Sequence, residues 1–230
     1  MKSTALHTPA DPCLETNGST DASLSLQSEE FLWDSAAATP AHDYLFPTVS
    51  AWLKAAGART VLDLGCGNGA LTARFTREGF QMTGMDVSET GIAIASRSFP
   101  TIPFLHSDLS TPLAAECQHQ FDAVIAVEVI EHLLLPRLLL QRVQEALRPG
   151  GVFILTTPYH GFLKNLALAL TNAFDNHWHP LRDYGHVKFF SRATLTGLLE
   201  EQGLRPQRFA RVGRVPVLAK SMILQAALEP

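Results

Sequence analysis

The sequence contains few cysteines and no long apolar run, and both absences restrict what the protein can be. Its three cysteines, Cys13, Cys66 and Cys117, are widely spaced and form no Cys-x-x-Cys pair, which argues against a disulfide framework or a zinc ribbon. The chain has no stretch of about 18 apolar residues that could span a membrane, and its N-terminus lacks the apolar region of a signal peptide. These features predict a cytoplasmic protein without a transmembrane segment.

The sequence also has no excess of basic over acidic residues. The formal net charge is -4 and the pI is near 6.1, so the chain as a whole is not attracted to nucleic acid or anionic lipid. A content of 46% hydrophobic and 17% charged residues is typical of a globular protein. Residues 1–28 are rich in Ser, Thr, Pro and Asp, which predicts a flexible tail, and residues 29–230 are predicted to form a single domain.

The chain does contain a regular alternation of short apolar segments and helical patterns. A buried strand is predicted for each of the segments TVLDL, FQMTGMD, IPFLHSD, FDAVIAV and GVFILTTP. Helices are predicted between them, with Ser88 and Ser191 among the N-caps, and RFARVGR and SMILQAAL predict two further strands. This alternation predicts an α/β fold whose parallel sheet is covered by helices on both faces through right-handed crossovers.

A glycine-rich stretch, VLDLGCGNGA, follows the first predicted strand. Glycines in such a loop usually bring the backbone close to a pyrophosphate, but Asp63 at the mouth of this loop would repel a phosphate. The spacing is also Gly-x-Gly-x-Gly, whereas a dinucleotide site has Gly-x-Gly-x-x-Gly. The second strand ends at Asp86, where a carboxylate can accept hydrogen bonds from a ribose. S-adenosylmethionine fits these features, because it carries a ribose, a sulfonium and an ammonium but no phosphate.

Four ordered motifs, VLDLGCGNG, GMDVSETGIAIA, FDAVIAVEVIEHL and LRPGGVFILTTP, resemble those of class I S-adenosylmethionine-dependent methyltransferases. Over roughly residues 58–205, the chain most resembles the ubiquinone-biosynthesis O-methyltransferases, or polyprenyl-benzoquinol methylases. The resemblance implies a Rossmann-like, seven-stranded and mostly parallel sheet with an antiparallel C-terminal strand. The residues that it implies at the cofactor are Asp63, Gly65, Cys66, Gly67, Gly69, Asp86, Val87, Asp108, Leu109 and Val127.

Within that resemblance, Gly65 and Gly67 would approach the methionine part, Asp86 the ribose, and Asp108 and Leu109 the adenine. Each residue also has a simpler interpretation, because any one of the glycines, or Asp108, can be present only to form a tight turn. One position departs from the family. The benzoquinol methylases carry an arginine about twenty residues before the glycine loop, where this chain has HDYLFP. This departure weakens the expectation that the chain uses the family's acceptor, and it leaves the cofactor prediction unchanged.

The segment EVIEHL supplies candidate metal ligands. Glu128, Glu131 and His132 are spaced i, i+3 and i+4, so a helical turn would place them on one face. Two carboxylates and an imidazole can hold a divalent ion such as Mg²⁺, or His132 can serve as a general base. The alternative is a scaffolding role, in which Glu128 lines the cofactor and His132 packs locally.

Residues 159–190 form an insertion that is predicted to cover the substrate. His160 and His186 in this segment join His132 as candidate catalytic residues. A helix is predicted over 162–174, with an apolar side that could cap an apolar acceptor or rest peripherally on a membrane surface. The pair His177-x-His179 lacks a third ligand at a fixed spacing, which argues against a zinc site.

These observations predict an enzyme that transfers a methyl group to a small acceptor. Displacement at a sulfonium requires alignment of the acceptor and removal of its proton, and no nucleophilic triad is needed. The expected partner is an apolar or aromatic small molecule that is methylated at a hydroxyl oxygen. Two alternatives are a metal-dependent RNA 2'-O-methyltransferase, against which the acidic balance argues, and a cofactor-binding protein without catalysis.

Overall fold

The computed structural model describes residues 33–178, 181 and 184–228, so the predicted tail over 1–28 and His179 lie outside the described residues. The strands are β1 Thr60–Leu64, β2 Gln81–Asp86, β3 Phe104–His106, β4 Phe121–Val127, β5 Leu147–Pro158, β6 Leu204–Val212 and β7 Ser221–Leu228. The helices are α1 Pro40–Ala55, α2 Ala70–Arg77, α3 Glu89–Ser98, α4 Pro136–Ala146, α5 Phe162–Leu170, α6 Phe174–Trp178 and α7 Arg192–Glu201.

All seven strands form one sheet in the order β3-β2-β1-β4-β5-β7-β6. Strands β1 to β5 are parallel, and β7 pairs antiparallel with both β5 and β6. The chain winds outward in opposite directions from β1 and β4, which makes the gap between these strands the switch point where α/β sheets bind ligands. The predicted seven-stranded, mostly parallel sheet with an antiparallel C-terminal strand is therefore confirmed.

Two apolar clusters cover the two faces of the sheet, which explains why its central strands are almost wholly apolar. On one face, α1, α2 and α3 contribute Leu45, Phe75 and Ala95 to a buried cluster. On the other face, α4 and α7 contribute Leu139 and Leu195. The prediction of helices on both faces is confirmed, and the carboxyl ends of β1, β2, β4 and β5 are left at one edge for a site.

The helix caps agree with the prediction, but one helix ends earlier than predicted. Ser88 and Ser191 do cap α3 and α7, because their side chains accept hydrogen bonds from the backbone N–H groups of Gly91 and Thr194. Helix α5, by contrast, ends at Leu170 and not at residue 174, and Asn172 then takes a left-handed φ of 49°. The predicted 162–174 helix is therefore too long, because the apolar pattern continues through a turn into α6. None of the helices that the structure describes is both long and apolar enough to cross a bilayer.

Candidate active site

The glycine loop, residues 65–69, follows β1 at the switch point of the sheet. Gly65, Gly67 and Gly69 have φ angles of 82°, 53° and 74°, a region that residues with a side chain rarely adopt. The backbone N–H groups of Gly65 and Cys66 donate to the carbonyl of Met85, at 2.7 and 3.1 Å, which ties the loop to β2. The loop thus presents its backbone at the carboxyl ends of β1 and β2.

Each of these glycines is also required by packing within the protein. A Cβ atom at Gly65 would lie 2.4 Å from the side chain of Val129, and one at Gly67 would lie 2.4 Å from the ring of Trp33. At Gly69 it would lie 2.7 Å from the ring of Phe104. The approach of a ligand is one reason for glycine at these positions, and these contacts within the protein are a second.

An N-terminal strap, residues 33–37, runs across the glycine loop. The Asn68 side chain is 1% exposed, and its Nδ2 donates to the carbonyls of Ser35 and Ala37 at 2.8 and 2.9 Å. The backbone N–H of Trp33 donates to Oγ1 of Thr90 at 3.3 Å. Sequence reasoning did not identify Asn68 or the strap, since a polar residue between two glycines gives no sign of a partner so far away.

Asp86 holds the loop together from the end of β2. Its Oδ2 accepts the N–H of Gly67 at 2.7 Å, and its Oδ1 accepts the N–H of Ser88 at 2.8 Å. Burial raises the pKa of Asp86, although these two bonds oppose the shift. The Asp86 carboxylate thus fixes the backbone of the glycine loop and the start of α3. Its contact with a ribose stays a prediction.

Asp63, expected at the mouth of the loop, lies beneath it. The carboxylate is 1% exposed and accepts a hydrogen bond of 2.6 Å from the Thr72 hydroxyl on α2. Burial raises the pKa of Asp63 from its ordinary 3.8 to about 7. Cys66 is also buried, and burial raises the pKa of its thiol. Asp63 therefore anchors α2 to β1 in this structure.

This raised pKa predicts a pH-dependent effect of Asp63→Asn. Because the folded protein binds the Asp63 proton more tightly than the unfolded chain does, the wild type loses stability as pH rises from about 4 to about 7. The asparagine side chain resembles the protonated acid and does not titrate. We expect urea unfolding to show that the variant gains stability over the wild type by up to about 1.4 kcal/mol per pH unit in that window.

Asp122→Asn is the control for this prediction. Burial tends to raise the pKa of Asp122, but the backbone N–H groups of Thr60 and Arg59 lower it overall. The stability that Asp122 provides is therefore present above its unfolded pKa and is lost as the pH falls. A difference between Asp63→Asn and wild type that stays constant from about pH 4 to about pH 7 would contradict the prediction.

The other predicted cofactor residues lie along the same edge of the sheet. Val87 is 36% exposed just after β2, and Val127 is the partly buried last residue of β4. Asp108 and Leu109 are partly buried after β3, and the Asp108 carboxylate accepts the N–H of Ser110 at 2.7 Å. The structure brings all the predicted positions to one edge, and the roles of the individual residues stay predictions.

Glu128 follows β4 with a left-handed φ of 57° and precedes the 3₁₀ turn of residues 130–132. Its carboxylate accepts hydrogen bonds from the hydroxyls of Thr156, at 2.8 Å, and Ser221, at 3.2 Å. The Ser221 hydroxyl also lies 3.2 Å from the Tyr44 hydroxyl. Burial raises the pKa of Glu128 to about 7, despite these bonds and the nearby charge of Lys164.

The predicted ligand set of Glu128, Glu131 and His132 is not the group that the structure assembles. Ligand atoms of Glu131, His132 and His186 lie within 4.8 Å of one another, and Glu128 is outside that group. The helical turn assumed for this set does not include Glu128, because only residues 130–132 form a 3₁₀ turn after its left-handed backbone, and the metal ligands themselves stay a prediction. His186 joins the group because the Glu131 carbonyl accepts the N–H groups of the residues that follow it, Val187 and Lys188.

Glu131 is the buried member of this group. It is 1% exposed, and within the described part of the chain neither of its carboxylate oxygens forms a hydrogen bond of ordinary geometry, although the nearby Thr157 hydroxyl partly opposes the rise in its pKa. Burial and then the charge of Glu128 raise its pKa. His186 Nε2 lies 4.0 Å from Glu131 Oε1, and the rings of His132 and His186 are 4.9 Å apart. His132 Nδ1 lies 3.0 Å from the carbonyl of Tyr184, which fixes the orientation of its ring.

His160 lies in a different cluster. Its side chain is buried against His177 and Phe189, with ring centroids at 5.5 and 5.1 Å. Burial, together with the charges of Lys164 and His177, lowers the pKa of His160 to about 4, so it is neutral at pH 7. The structure therefore separates His160 from the other two predicted catalytic histidines.

A cavity of about 460 Å³, here called the α5 cavity, adjoins the carboxyl ends of β4 and β5. It is lined by Tyr44, Glu128, Pro158, Lys164, Ala167, Leu168, Thr171, His177, His186, Arg214, Leu218, Ala219, Lys220 and Ser221. Its size is typical of a small-molecule site. Of the three predicted catalytic histidines, His186 lines it, whereas His132 and His160 do not. Sequence reasoning missed Tyr44 and Ser221, which reach the cavity from α1 and β7.

Comparisons with known proteins agree with this geometry. A family model described as a methyltransferase domain matches residues 37–208. The ubiquinone biosynthesis O-methyltransferase of Dinoroseobacter shibae is 32% identical over 151 residues, which is 64% of this chain and 60% of that protein. The enzyme of the same name from Methylobacterium nodulans is 31% identical over 150 residues, with the same shares. The chain thus spans about 60% of the length of these curated relatives.

Solved structures share the fold. The magnesium protoporphyrin IX methyltransferase of Synechocystis matches with a TM-score of 0.60 at 20% identity, over 80% of this chain and 81% of that one. The Burkholderia thailandensis 1,6-didemethyltoxoflavin-N1-methyltransferase matches with a TM-score of 0.61 at 21% identity, over 83% and 79%.

The family match begins before α1, about twenty residues earlier than the motifs quoted from the sequence, and so includes Tyr44. It spans the glycine loop, the turn that bears Glu131 and the insertion that forms α5. The resemblance inferred from the sequence, the enzyme class and the cofactor type that it implies are confirmed. This chain belongs to the methyltransferase domain family.

Proposed function

We propose that this protein transfers a methyl group from S-adenosylmethionine to a hydroxyl oxygen of a small, largely apolar or aromatic acceptor. The observation that carries the proposal is the position of the α5 cavity. Glu128 and Pro158 place it at the ends of β4 and β5, beside the switch point where the glycine loop follows β1. An acceptor in this cavity would lie next to a cofactor bound at the loop.

Apolar and titratable groups share the lining of this cavity, as the reaction requires. The methyl group reaches the acceptor by in-line displacement when the cofactor is bound, and the protein has to align the acceptor and remove its proton. Leu168, Leu218 and Pro158 would exclude water from an apolar body. His186 lines the cavity and would promote loss of the acceptor's proton in one of two ways: as the base itself when no ion is bound, or as a ligand of a bound metal ion. Tyr44 and Ser221 can orient a hydroxyl beside Glu128.

We also propose a divalent metal ion on Glu131, His132 and His186. A buried carboxylate that forms no hydrogen bond of ordinary geometry in the described structure, with two imidazoles beside it, suits an ion. One oxygen and two nitrogen donors favour Mn²⁺, Fe²⁺, Co²⁺ or Zn²⁺ over the predicted Mg²⁺, which prefers oxygen ligands. The Tyr184 carbonyl at His132 Nδ1 would fix the ring that binds it. Such an ion would make the acceptor hydroxyl more acidic.

The proposal is tested by incubating the protein with methyl-labelled S-adenosylmethionine and a metabolite extract, followed by mass spectrometry for labelled products. We expect labelled small molecules that bear an O-methyl group. Glu116→Gln, an exposed change between β3 and β4, should keep the activity, whereas His186→Ala should lower it at least tenfold. Label that appears only on RNA, or cofactor binding without any labelled product, would overturn the proposal in favour of one of the two alternatives.

A few exposed basic residues outside the cavity are the only feature of the described surface that favours the RNA alternative. Arg205, Arg208 and Arg211 lie exposed along the edge strand β6. They are a short stretch in a chain of net charge -4, and the cavity next to the glycine loop has the size of a small-molecule site. A small acceptor therefore accounts for more of the site.

A further inference from the structure

Three cationic side chains meet in the α5 cavity, each from a different element. Lys164 belongs to α5, Arg214 to the loop after β6, and Lys220 is the residue before β7. Lys164 is 9% exposed, whereas Arg214 and Lys220 are exposed at the rim. The cavity thus has a charged wall that the proposed methyl transfer does not by itself require.

These cations have no ion-pair partner among the described residues. The lysine and arginine ion pairs of the described chain use Lys54, Arg74, Arg137, Arg142 and Arg148. Lys164 Nζ instead lies 3.5 Å from the backbone carbonyl of Lys220, at the limit of a hydrogen bond. Lys220 Nζ lies 5.3 Å from the centre of the Tyr44 ring. A buried ammonium without a carboxylate partner is uncommon in proteins.

The arrangement carries an electrostatic cost. Burial and then the charge of Arg214 lower the pKa of Lys164 to about 8, although Glu128 opposes this shift. Glu128 is the only carboxylate in the described lining of the cavity. Its oxygens accept hydrogen bonds from Thr156 and Ser221, and burial raises its pKa. One such group cannot balance three cations, so the cavity has a net positive charge.

The opposite part of the lining is apolar. Ala167 and Leu168 of α5 face the cavity together with Pro158, Leu218 and Ala219. An occupant that satisfies both parts has an apolar body and an anionic group. A carboxylate suits a buried ammonium beside a guanidinium, because both donors form charge-assisted hydrogen bonds with its oxygens.

We propose that the acceptor is an organic carboxylate, whose anionic group is bound by Lys164, Arg214 and Lys220 while its apolar body lies against α5. This inference rests on the proposed function and specifies the acceptor class at the same site. It assigns the three cations to substrate selection and leaves the cofactor and the proton transfer to other residues.

The test uses a matched pair of probes, a hydroxynaphthoate and the naphthol that lacks its carboxylate. Binding to the full-length protein is measured by calorimetry in the presence of S-adenosylhomocysteine, so that no turnover is needed. We expect the hydroxynaphthoate to bind at least tenfold more tightly than the naphthol. Lys164→Met and Arg214→Gln should each weaken the hydroxynaphthoate about tenfold and leave the naphthol nearly unchanged.

The controls separate this inference from the proposed function. Lys54→Met removes an exposed lysine on α1, far from the cavity lining, and should change neither affinity. Arg214 lies in an exposed loop, so its variant tests the proposal even where Lys164→Met does not fold. Equal affinity for the two probes, or variants that bind both as the wild type does, would overturn the inference. Selective binding of the carboxylate without methyl transfer would support the inference and refute the proposed function.

Discussion

Asp86→Asn is expected to weaken binding of S-adenosylmethionine at least tenfold. The Asp86 carboxylate accepts the N–H groups of Gly67 and Ser88, one on each oxygen. An asparagine can accept at only one atom and would turn an N–H group toward the other donor. The variant therefore loosens the glycine loop and also weakens the predicted ribose contact, which together correspond to about 1.5–3 kcal/mol. Calorimetry with the cofactor and with S-adenosylhomocysteine measures the loss.

Asp122→Asn is a matched control for this variant. Asp122 also accepts two backbone N–H groups, those of Arg59 and Thr60, but at the opposite edge of the sheet. The control should lower the free energy of unfolding without changing cofactor affinity. The site assignment fails if the two variants lose affinity equally, or if Asp86→Asn binds as tightly as the wild type.

Glu131→Gln is expected to remove the bound metal and to lower turnover at least a hundredfold. The neutral amide is a poor ligand, and the change leaves two histidines, which hold a divalent ion weakly. Metal content is measured by elemental analysis of the purified protein, and thermal unfolding with and without a chelator gives a second readout. We expect about one equivalent of Mn²⁺, Fe²⁺, Co²⁺ or Zn²⁺ in the wild type, and a lower Tm once it is removed.

Glu128→Gln distinguishes the observed group from the set predicted by sequence spacing. Glu128 lies outside the group of Glu131, His132 and His186, so this variant should keep the metal even where turnover changes. If both variants lose the ion, the ligand set predicted by sequence spacing, which includes Glu128, is supported instead. A wild-type protein that contains no metal after purification and is unaffected by added ions would refute the metal proposal.

The fold was predictable because the sequence alternates between two periodicities. The apolar strands are buried on both sides, and the caps Ser88 and Ser191 sit where the helices begin. The glycine loop and Asp86 could likewise be located, because strand ends of a parallel sheet meet at one edge. The overlong prediction for α5 arose because an apolar pattern records burial and exposure but not the turn at Asn172.

Much of the candidate site depends on contacts between residues far apart in the chain. The left-handed Glu128 is held by Thr156 and Ser221, and neither the sign of φ nor these partners can be read from EVIEHL. His186 reaches Glu131 only because the segment after it donates to the Glu131 carbonyl. Lys164 has no basic residue near it in the sequence. Arg214 and Lys220 become its neighbours only because α5 packs beside the chain that precedes β7.

The strap over the glycine loop affects where a shortened, functional chain can begin. Helix α1 is the first regular element that the structure describes, so Pro40 would be a natural start for a shortened protein. Such a chain would lose the Ser35 and Ala37 carbonyls and leave the buried amide of Asn68 without these two partners. It would also lose the Trp33 ring that packs against Gly67. A shortened chain with an intact cofactor loop therefore has to start at or before Trp33, at least seven residues ahead of that helix.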